Sequence, residues 1–209
     1  MHPWKNYVAV GDSFTEGTGD PVDGFQAIGC MERLAQILKR SQPDFQFTNL
    51  AKHGLKIDEV RDMQLQKTLA LKPDFITVQA GANDLMKGNF TAEIFESSLR
   101  SLFEPLAKTG AFVTTGTHTP FPYISTLDEA IQKRLQRQMD KANEIIRKLA
   151  GDYGIVFVDT HAHTADFDAG DWSADQVHLN SRGHFKFTKA LVDVLEKHTG
   201  VEIGQPEMP

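Results

Sequence analysis

Cysteine is almost absent from this chain of 209 residues: Cys30 is the only one, so no disulfide can form within it. Its neighbours Ile28, Gly29 and Met31 carry no charge, which favours a buried structural thiol over a reactive one. No stretch approaches the ~18 apolar residues of a membrane-spanning helix. Residues 1–6 also lack the apolar run of a signal peptide, so the sequence predicts a cytoplasmic location and no membrane span.

Positively charged residues are also fewer than negatively charged ones. The chain has 22 Lys and Arg against 28 Asp and Glu, a formal net charge of -6. No basic cluster interleaved with aromatic residues is present, which argues against nucleic-acid binding. No fixed-period repeat occurs, which argues against a solenoid. With 40% hydrophobic and 24% charged residues, the composition favours one folded domain over residues 1–209, ending in a short tail at about 199–209.

The apolar pattern predicts strands that alternate with helices. Short apolar runs predict five strands, at residues 7–10, 45–50, 75–80, 111–115 and 155–159. Helical spacing of apolar residues predicts helices at residues 25–40, 57–71, 91–107, 127–150 and 181–197. Such alternation is typical of a parallel sheet covered by helices on both faces, and therefore of the α/β class.

Residues with catalytic side chains follow several of these strands. Ser13 follows the first, Gly54 the second and Asn83 the third, and the segment after the fifth strand carries Asp175 and His178. Ligands of open parallel sheets bind at the carboxyl ends of the strands. That last segment, together with its neighbours, forms a long loop, and long loops in compact domains are usually functional. We therefore expect these residues to meet at one edge of the sheet.

The chemistry of these residue types suits acyl transfer. A serine hydroxyl is a weak nucleophile without a base, and a catalytic histidine needs a carboxylate on its other nitrogen. Asp175 lies three residues before His178, so one short segment can present both groups to Ser13. The oxyanion of the tetrahedral intermediate needs donors, for which the backbone N–H groups of Ser13 and Gly54 and the side-chain amide of Asn83 are candidates.

Four short sequence blocks resemble one known family. Residues 11–14 read Gly-Asp-Ser-Phe, Gly54 stands alone, residues 81–84 read Gly-Ala-Asn-Asp, and residues 175–180 read Asp-Gln-Val-His-Leu-Asn. They are similar, in order along the chain, to the blocks of the GDSL esterases, also called SGNH hydrolases. Phe14 stands where many members have leucine.

The resemblance implies a fold, an activity and a set of site residues. It implies a three-layer α/β/α flavodoxin-like fold with a five-stranded parallel sheet in the order 2-1-3-4-5. It also implies hydrolysis of a small-molecule acyl ester through an acyl-enzyme, with no metal and no cofactor. Ser13, Asp175 and His178 would be catalytic, and Ser13, Gly54 and Asn83 would form the oxyanion hole.

Several alternatives stay open at this stage. Short acyl groups, including those of acetylated sugars, are expected because the sequence shows no apolar lid. The same site could instead serve thioesters or lysophospholipids, or transfer the acyl group to an acceptor other than water. A non-catalytic ligand-binding module is disfavoured by the complete set of catalytic residues. The sequence does not predict the oligomeric state.

Some other polar residues compete for roles at this edge. His184 is a rival base, but it falls on the last predicted helix, where a structural role is favoured. Asp12 and Asp84 are expected to brace loops rather than react. His161 and His163, with several aspartates nearby, suggest a metal site, but the spacing is loose and a solvated acidic loop is favoured.

Overall fold

The computed structural model describes residues 4–87 and 90–207, and a five-stranded sheet lies at its centre. The strands are β1 (Asn6–Gly11), β2 (Gln46–Asn49), β3 (Phe75–Gln79), β4 (Phe112–Gly116) and β5 (Val156–Val158). All neighbouring strands are parallel, and their order is β2-β1-β3-β4-β5. The predicted fold class and strand order are therefore confirmed.

Helices connect the strands and cover the sheet. They are α1 (Ser13–Glu16), α2 (Cys30–Ser41), α3 (Ile57–Val60), α4 (Gln66–Leu71), α5 (Ala82–Lys87), α6 (Ala92–Ala107), α7 (Glu129–Tyr153), α8 (Thr160–His163) and α9 (Ser181–Thr199). A π-helical turn (Arg61–Leu65) joins α3 to α4, and 3-10 turns occur at Pro122–Thr126 and Ala169–Asp171. Across residues 4–87 and 90–207, no helix combines the length and apolar character needed to cross a bilayer.

Alternate residues of the central strands supply two separate cores. Val8 and Val10 of β1 pack with α3, α6 and α7 on one face of the sheet. Tyr7 and Ala9 point to the opposite face and pack with α2 and α9. All four side chains are fully buried, and complete burial of a large apolar side chain contributes ~1.5–3 kcal/mol. The sheet between the two helical layers therefore gives the site a rigid base.

Two predicted segments differ from the structure. The helix expected from residue 25 begins at Cys30, because Gly29 is extended and its backbone packs directly on Gly17. A Cβ atom on Gly29 would lie 2.4 Å from the Gly17 Cα atom. The long loop at 160–180 contains α8, the second 3-10 turn and an antiparallel bridge between Trp172 and Leu179. That loop is thus largely built of local structure.

Candidate active site

Ser13 is the first residue of α1, directly after β1. Asp12 caps this helix, and its carboxylate accepts the backbone N–H of Phe14 at 3.2 Å. Gly11 has φ of +154°, and a Cβ atom there would lie 2.1 Å from the carbonyl oxygen of Gln79. Only glycine therefore allows the sharp change of direction that carries Ser13 from the strand onto the edge of the sheet.

The side chain of Gln64 holds the end of β1 through two hydrogen bonds to Gly11. Its side-chain oxygen accepts the Gly11 N–H at 2.9 Å, and its Nε2 donates to the Gly11 carbonyl at 2.8 Å. Gln64 is almost fully buried and belongs to the π-helical turn between α3 and α4. The sequence does not mark this residue as part of the site, because polar residues are common in an amphipathic helical segment.

Ser13, His178 and Asp175 form a continuous hydrogen-bonded chain. His178 Nε2 lies 2.9 Å from Ser13 Oγ, and His178 Nδ1 lies 2.6 Å from Asp175 Oδ2. The other carboxylate oxygen of Asp175 accepts the backbone N–H groups of Val177 and His178 at 2.9 and 3.0 Å. Partial burial acts to raise the pKa of Asp175, but these hydrogen bonds outweigh it and hold the pKa below its usual value. The carboxylate therefore stays charged beside the imidazole.

A tight turn presents Asp175 and His178. The backbone N–H of Ser173 donates to the His178 carbonyl at 2.8 Å, and the Gln176 N–H donates to the Ser173 carbonyl at 2.9 Å. Gln176 adopts a left-handed conformation with φ of +58°. The antiparallel bridge between Trp172 and Leu179 closes the base of the turn. Residues 173–178, called the catalytic turn below, are thus held as one unit.

Asn83 lies near the start of α5, shortly after β3, and its side chain approaches Asp12. Its Nδ2 donates to the Leu55 carbonyl at 3.1 Å and lies 3.4 Å from Asp12 Oδ2. Gly54, the third candidate for the oxyanion hole, has φ of +80°, and its carbonyl accepts Lys87 Nζ at 3.1 Å. Asn83 and Ser13 line the same cavity. Gly54 is not among the lining residues, but the preceding residue, His53, is.

Two carboxyl groups lie next to Asn83: that of Asp12 is buried, and that of Asp84 is half-buried. Burial raises the pKa of Asp12 to about 7, although the hydrogen bonds from Phe14 and Asn83 act in the opposite direction. Burial likewise raises the pKa of Asp84 to about 6, while that carboxylate accepts the Ile57 N–H at 3.1 Å. Each carboxylate thus receives a backbone N–H at the start of a helix, and the hydrogen bond of Ser13 Oγ is made with His178 and not with either of them.

The cavity beside Ser13 has a volume of about 210 Å³. Apolar side chains form most of its wall: Phe14, Met86, Phe121, Trp172, Val177 and Leu179. Phe121 comes from the loop at residues 117–126, and the neighbouring Tyr123 N–H donates to the Gln176 carbonyl at 3.0 Å. This hydrogen bond ties the 117–126 loop to the catalytic turn. No residue pattern in the sequence indicates that this loop supplies an apolar wall.

His184 also lines the cavity but is engaged elsewhere. Its Nδ1 accepts the Cys30 N–H at 3.3 Å, and its Nε2 lies 3.2 Å from the Thr18 carbonyl, to which it donates. Burial lowers the pKa of His184 to about 4, so the ring is neutral near pH 7. The imidazole that is hydrogen-bonded to Ser13 Oγ is that of His178.

Asp168 and Asp171, two of the aspartates that suggested a metal site, form ion pairs. Arg182 lies 2.7 Å from an oxygen of Asp168 and 2.9 Å from an oxygen of Asp171. His161 and His163 lie on the short helix α8. Within the described ranges, no group of three or more His, Cys, Asp or Glu side chains is arranged to hold a metal ion. These aspartates instead fasten the segment before the catalytic turn to α9.

A sequence profile of the GDSL-like Lipase/Acylhydrolase family matches residues 9–185, a range that contains every residue of the site described above. The chain belongs to this family. Membership of this family supports ester hydrolysis as the activity of the chain.

Individual relatives cover nearly the whole chain. An acetylxylan esterase from Geobacillus stearothermophilus is 25% identical in an alignment of 207 positions that covers 88% of this chain and 90% of that protein. The structure of Axe2, an acetylxylan esterase from the same organism, superposes with a TM-score of 0.71 at 20% identity, covering 97% of each chain. A lipase/acylhydrolase from Enterococcus faecalis gives 0.71 at 18% identity, covering 96% of this chain and 99% of that one. These structures share the fold.

Proposed function

We propose that this chain is a serine esterase that cleaves carboxylic esters through an acyl-enzyme on Ser13. One observation carries the proposal: the Ser13 hydroxyl, the His178 ring and the Asp175 carboxylate are joined by hydrogen bonds of 2.9 and 2.6 Å beside an apolar cavity. A nucleophile, its base and the group that orients the base are thereby in reach of one another. A non-catalytic binding module has no need of this arrangement.

Acylation begins at the Ser13 hydroxyl. Its oxygen bonds to the ester carbonyl carbon as its proton passes to His178 Nε2, and Asp175 stabilises the imidazolium that forms. The negative charge on the carbonyl oxygen is met by the Asn83 amide and the backbone N–H groups of Ser13 and Gly54. The tetrahedral intermediate then expels the alcohol, which takes the proton from His178, and the acyl group remains on Ser13.

Deacylation repeats these steps with water as the nucleophile. His178 accepts a proton from water as the water oxygen bonds to the acyl carbon. The intermediate breaks its bond to Ser13 Oγ, which recovers the proton from His178. The carboxylic acid leaves, and the free enzyme is restored. No step needs a group beyond the side chains and backbone named above.

The cavity limits the acyl group that the site accepts. An apolar cavity of ~150 Å³ holds a benzene molecule, so about 210 Å³ accommodates an acyl chain of roughly six to eight carbons. Each buried methylene adds ~0.8 kcal/mol, which favours chains that fill the cavity. A palmitoyl chain exceeds it. The acetylxylan esterase relative supports the short end of the range, so we propose acyl groups from acetyl to about octanoyl.

The test is hydrolysis of p-nitrophenyl acetate, butyrate, hexanoate, octanoate and palmitate with a metal chelator present. The native protein should turn over the first four esters, and its kcat/KM for palmitate should be at least tenfold below that for octanoate. Ser13→Ala should lose at least 10³-fold in kcat because it removes the nucleophile. Ser97→Ala changes an exposed serine on α6 and should match the native protein.

Two outcomes would contradict the proposal. Turnover that Ser13→Ala retains would show that another group attacks the ester, and turnover abolished by the chelator would show that a metal takes part. Palmitate hydrolysed as fast as octanoate would contradict the acyl range alone and leave the role of Ser13 intact.

A further inference from the structure

A short segment after α1 lies against the catalytic turn, and Asp20 is its main point of attachment. The Asp20 N–H donates to Ser173 Oγ at 2.8 Å, and its Oδ2 accepts the Ala174 N–H at 2.8 Å. The Asp20 carbonyl accepts the Ser181 N–H at 3.0 Å. Both backbone groups and the carboxylate of this one residue therefore hold the chain on either side of His178.

The neighbours of Asp20 extend this contact. A Cβ atom on Gly19 would lie 1.9 Å from the Leu179 carbonyl oxygen, so the two backbones touch with no room for a side chain. On the other side, the Val22 N–H donates to Ser181 Oγ at 2.8 Å. The segment is therefore fitted to the loop over several residues, and its position relative to the catalytic turn is well defined.

The attachment point is the base of the catalytic turn. Asp20 binds Ser173 and Ala174, and the Ser173 N–H in turn binds the His178 carbonyl. Ala174 is followed directly by Asp175. The same stretch of chain begins at α1, whose first residue is Ser13. One short connection thus fixes the distance between the serine and the groups that activate it.

We propose that Asp20 is a positioning residue that sets the catalytic turn over Ser13. This inference rests on the proposed esterase function. Asp20 is exposed and is not among the residues that line the cavity, so it acts through the turn and not on the substrate. A misplacement of ~1 Å in a catalytic group can cost ~10²-fold in rate, so even a small shift of the turn is measurable.

The experiment compares Asp20→Ala, Asp20→Asn and the control Asp23→Ala with p-nitrophenyl butyrate. Asp23 is also exposed and lies on the same connection, but no hydrogen bond joins it to the described residues. Rates are expressed per active site, counted with a fluorophosphonate that labels the serine. Asp20→Ala should lower kcat at least tenfold with KM within twofold of native. Asp20→Asn should recover most of kcat, because its side-chain oxygen can still accept the Ala174 N–H.

Ser173→Ala provides a second route to the same contact, since it removes the oxygen that accepts the Asp20 N–H. It should also lower kcat per active site, by severalfold, which keeps the test valid if Asp20→Ala folds poorly. Native kcat per active site in both alanine variants would overturn the inference, as would an equal loss in Asp23→Ala or no recovery in Asp20→Asn. If Ser13→Ala stays active, the esterase proposal itself fails. An inactive Ser13→Ala beside a fully active Asp20→Ala refutes the positioning role alone.

Discussion

Replacing Asp175 by asparagine tests how the His178 ring is held. One carboxylate oxygen lies 2.6 Å from His178 Nδ1, and the other accepts the N–H groups of Val177 and His178. An asparagine that keeps its oxygen on those two N–H groups turns its NH₂ group towards Nδ1. Two donors cannot face each other, so the ring proton moves to Nε2 and points at Ser13 Oγ.

The size of the effect follows from two losses. The imidazolium loses a hydrogen bond to a charged partner, which contributes ~1.5–3 kcal/mol, and the wrong tautomer adds a polar mismatch of ~1–3 kcal/mol. Together they amount to ~2.5–6 kcal/mol, or about 10²–10⁴-fold in kcat. Asp175→Ala offers no competing donor and leaves the tautomer free. It suffers only the first loss, about 10–10²-fold, so the asparagine variant should be the slower of the two.

The assay is kcat for p-nitrophenyl butyrate at pH 7.5 in the native protein and in both variants. Asp166→Asn serves as the control, because Asp166 is an exposed aspartate in the same loop. It should leave kcat within twofold of native. An asparagine variant within tenfold of native, or faster than the alanine variant, would refute the role given to the Asp175 carboxylate.

Three further predictions concern the oxyanion hole, the cavity and stability. Asn83→Ala removes the amide donor and should lower kcat ~10²–10³-fold with little change in KM, measured with p-nitrophenyl butyrate. Phe121→Ala opens the cavity wall, so kcat/KM for the decanoate relative to the acetate should rise at least fivefold; an unchanged ratio would place the acyl chain elsewhere. Burial lowers the pKa of His184 to about 4, so this ring destabilises the folded state progressively as the pH falls from about 6.5 towards 4. The Tm of His184→Gln should therefore fall less than the native Tm over that pH range.

The strands were predictable because each is a short apolar run bounded by polar residues or glycine. The burial of Tyr7, Val8, Ala9 and Val10 on both faces of the sheet is what such a run indicates. The strand order came from the resemblance to a family and not from periodicity. Apolar spacing places the start of α2 too early, because the contact between Gly17 and Gly29 joins segments that the spacing treats separately.

The candidate site was predictable where chemistry and spacing coincide in one short segment. Asp175 and His178 are three residues apart, and the structure brings both to Ser13. Gln64 and Asp20 were missed because each acts through a backbone group far away in the sequence. A single polar side chain carries no sign of such a partner. Long-range backbone contacts are fixed by packing, which a residue-by-residue pattern does not contain.

Trapping the acyl-enzyme tests directly whether Ser13 is the nucleophile. The protein is mixed with excess p-nitrophenyl hexanoate, quenched in acid within milliseconds, digested and measured by mass spectrometry. A hexanoyl group is expected on the peptide that contains Ser13. It should accumulate more strongly in a variant with slowed deacylation and be absent from Ser13→Ala. A hexanoyl group on a different residue that forms and decays at the rate of turnover, or full turnover by Ser13→Ala, would contradict the role of Ser13 as the nucleophile.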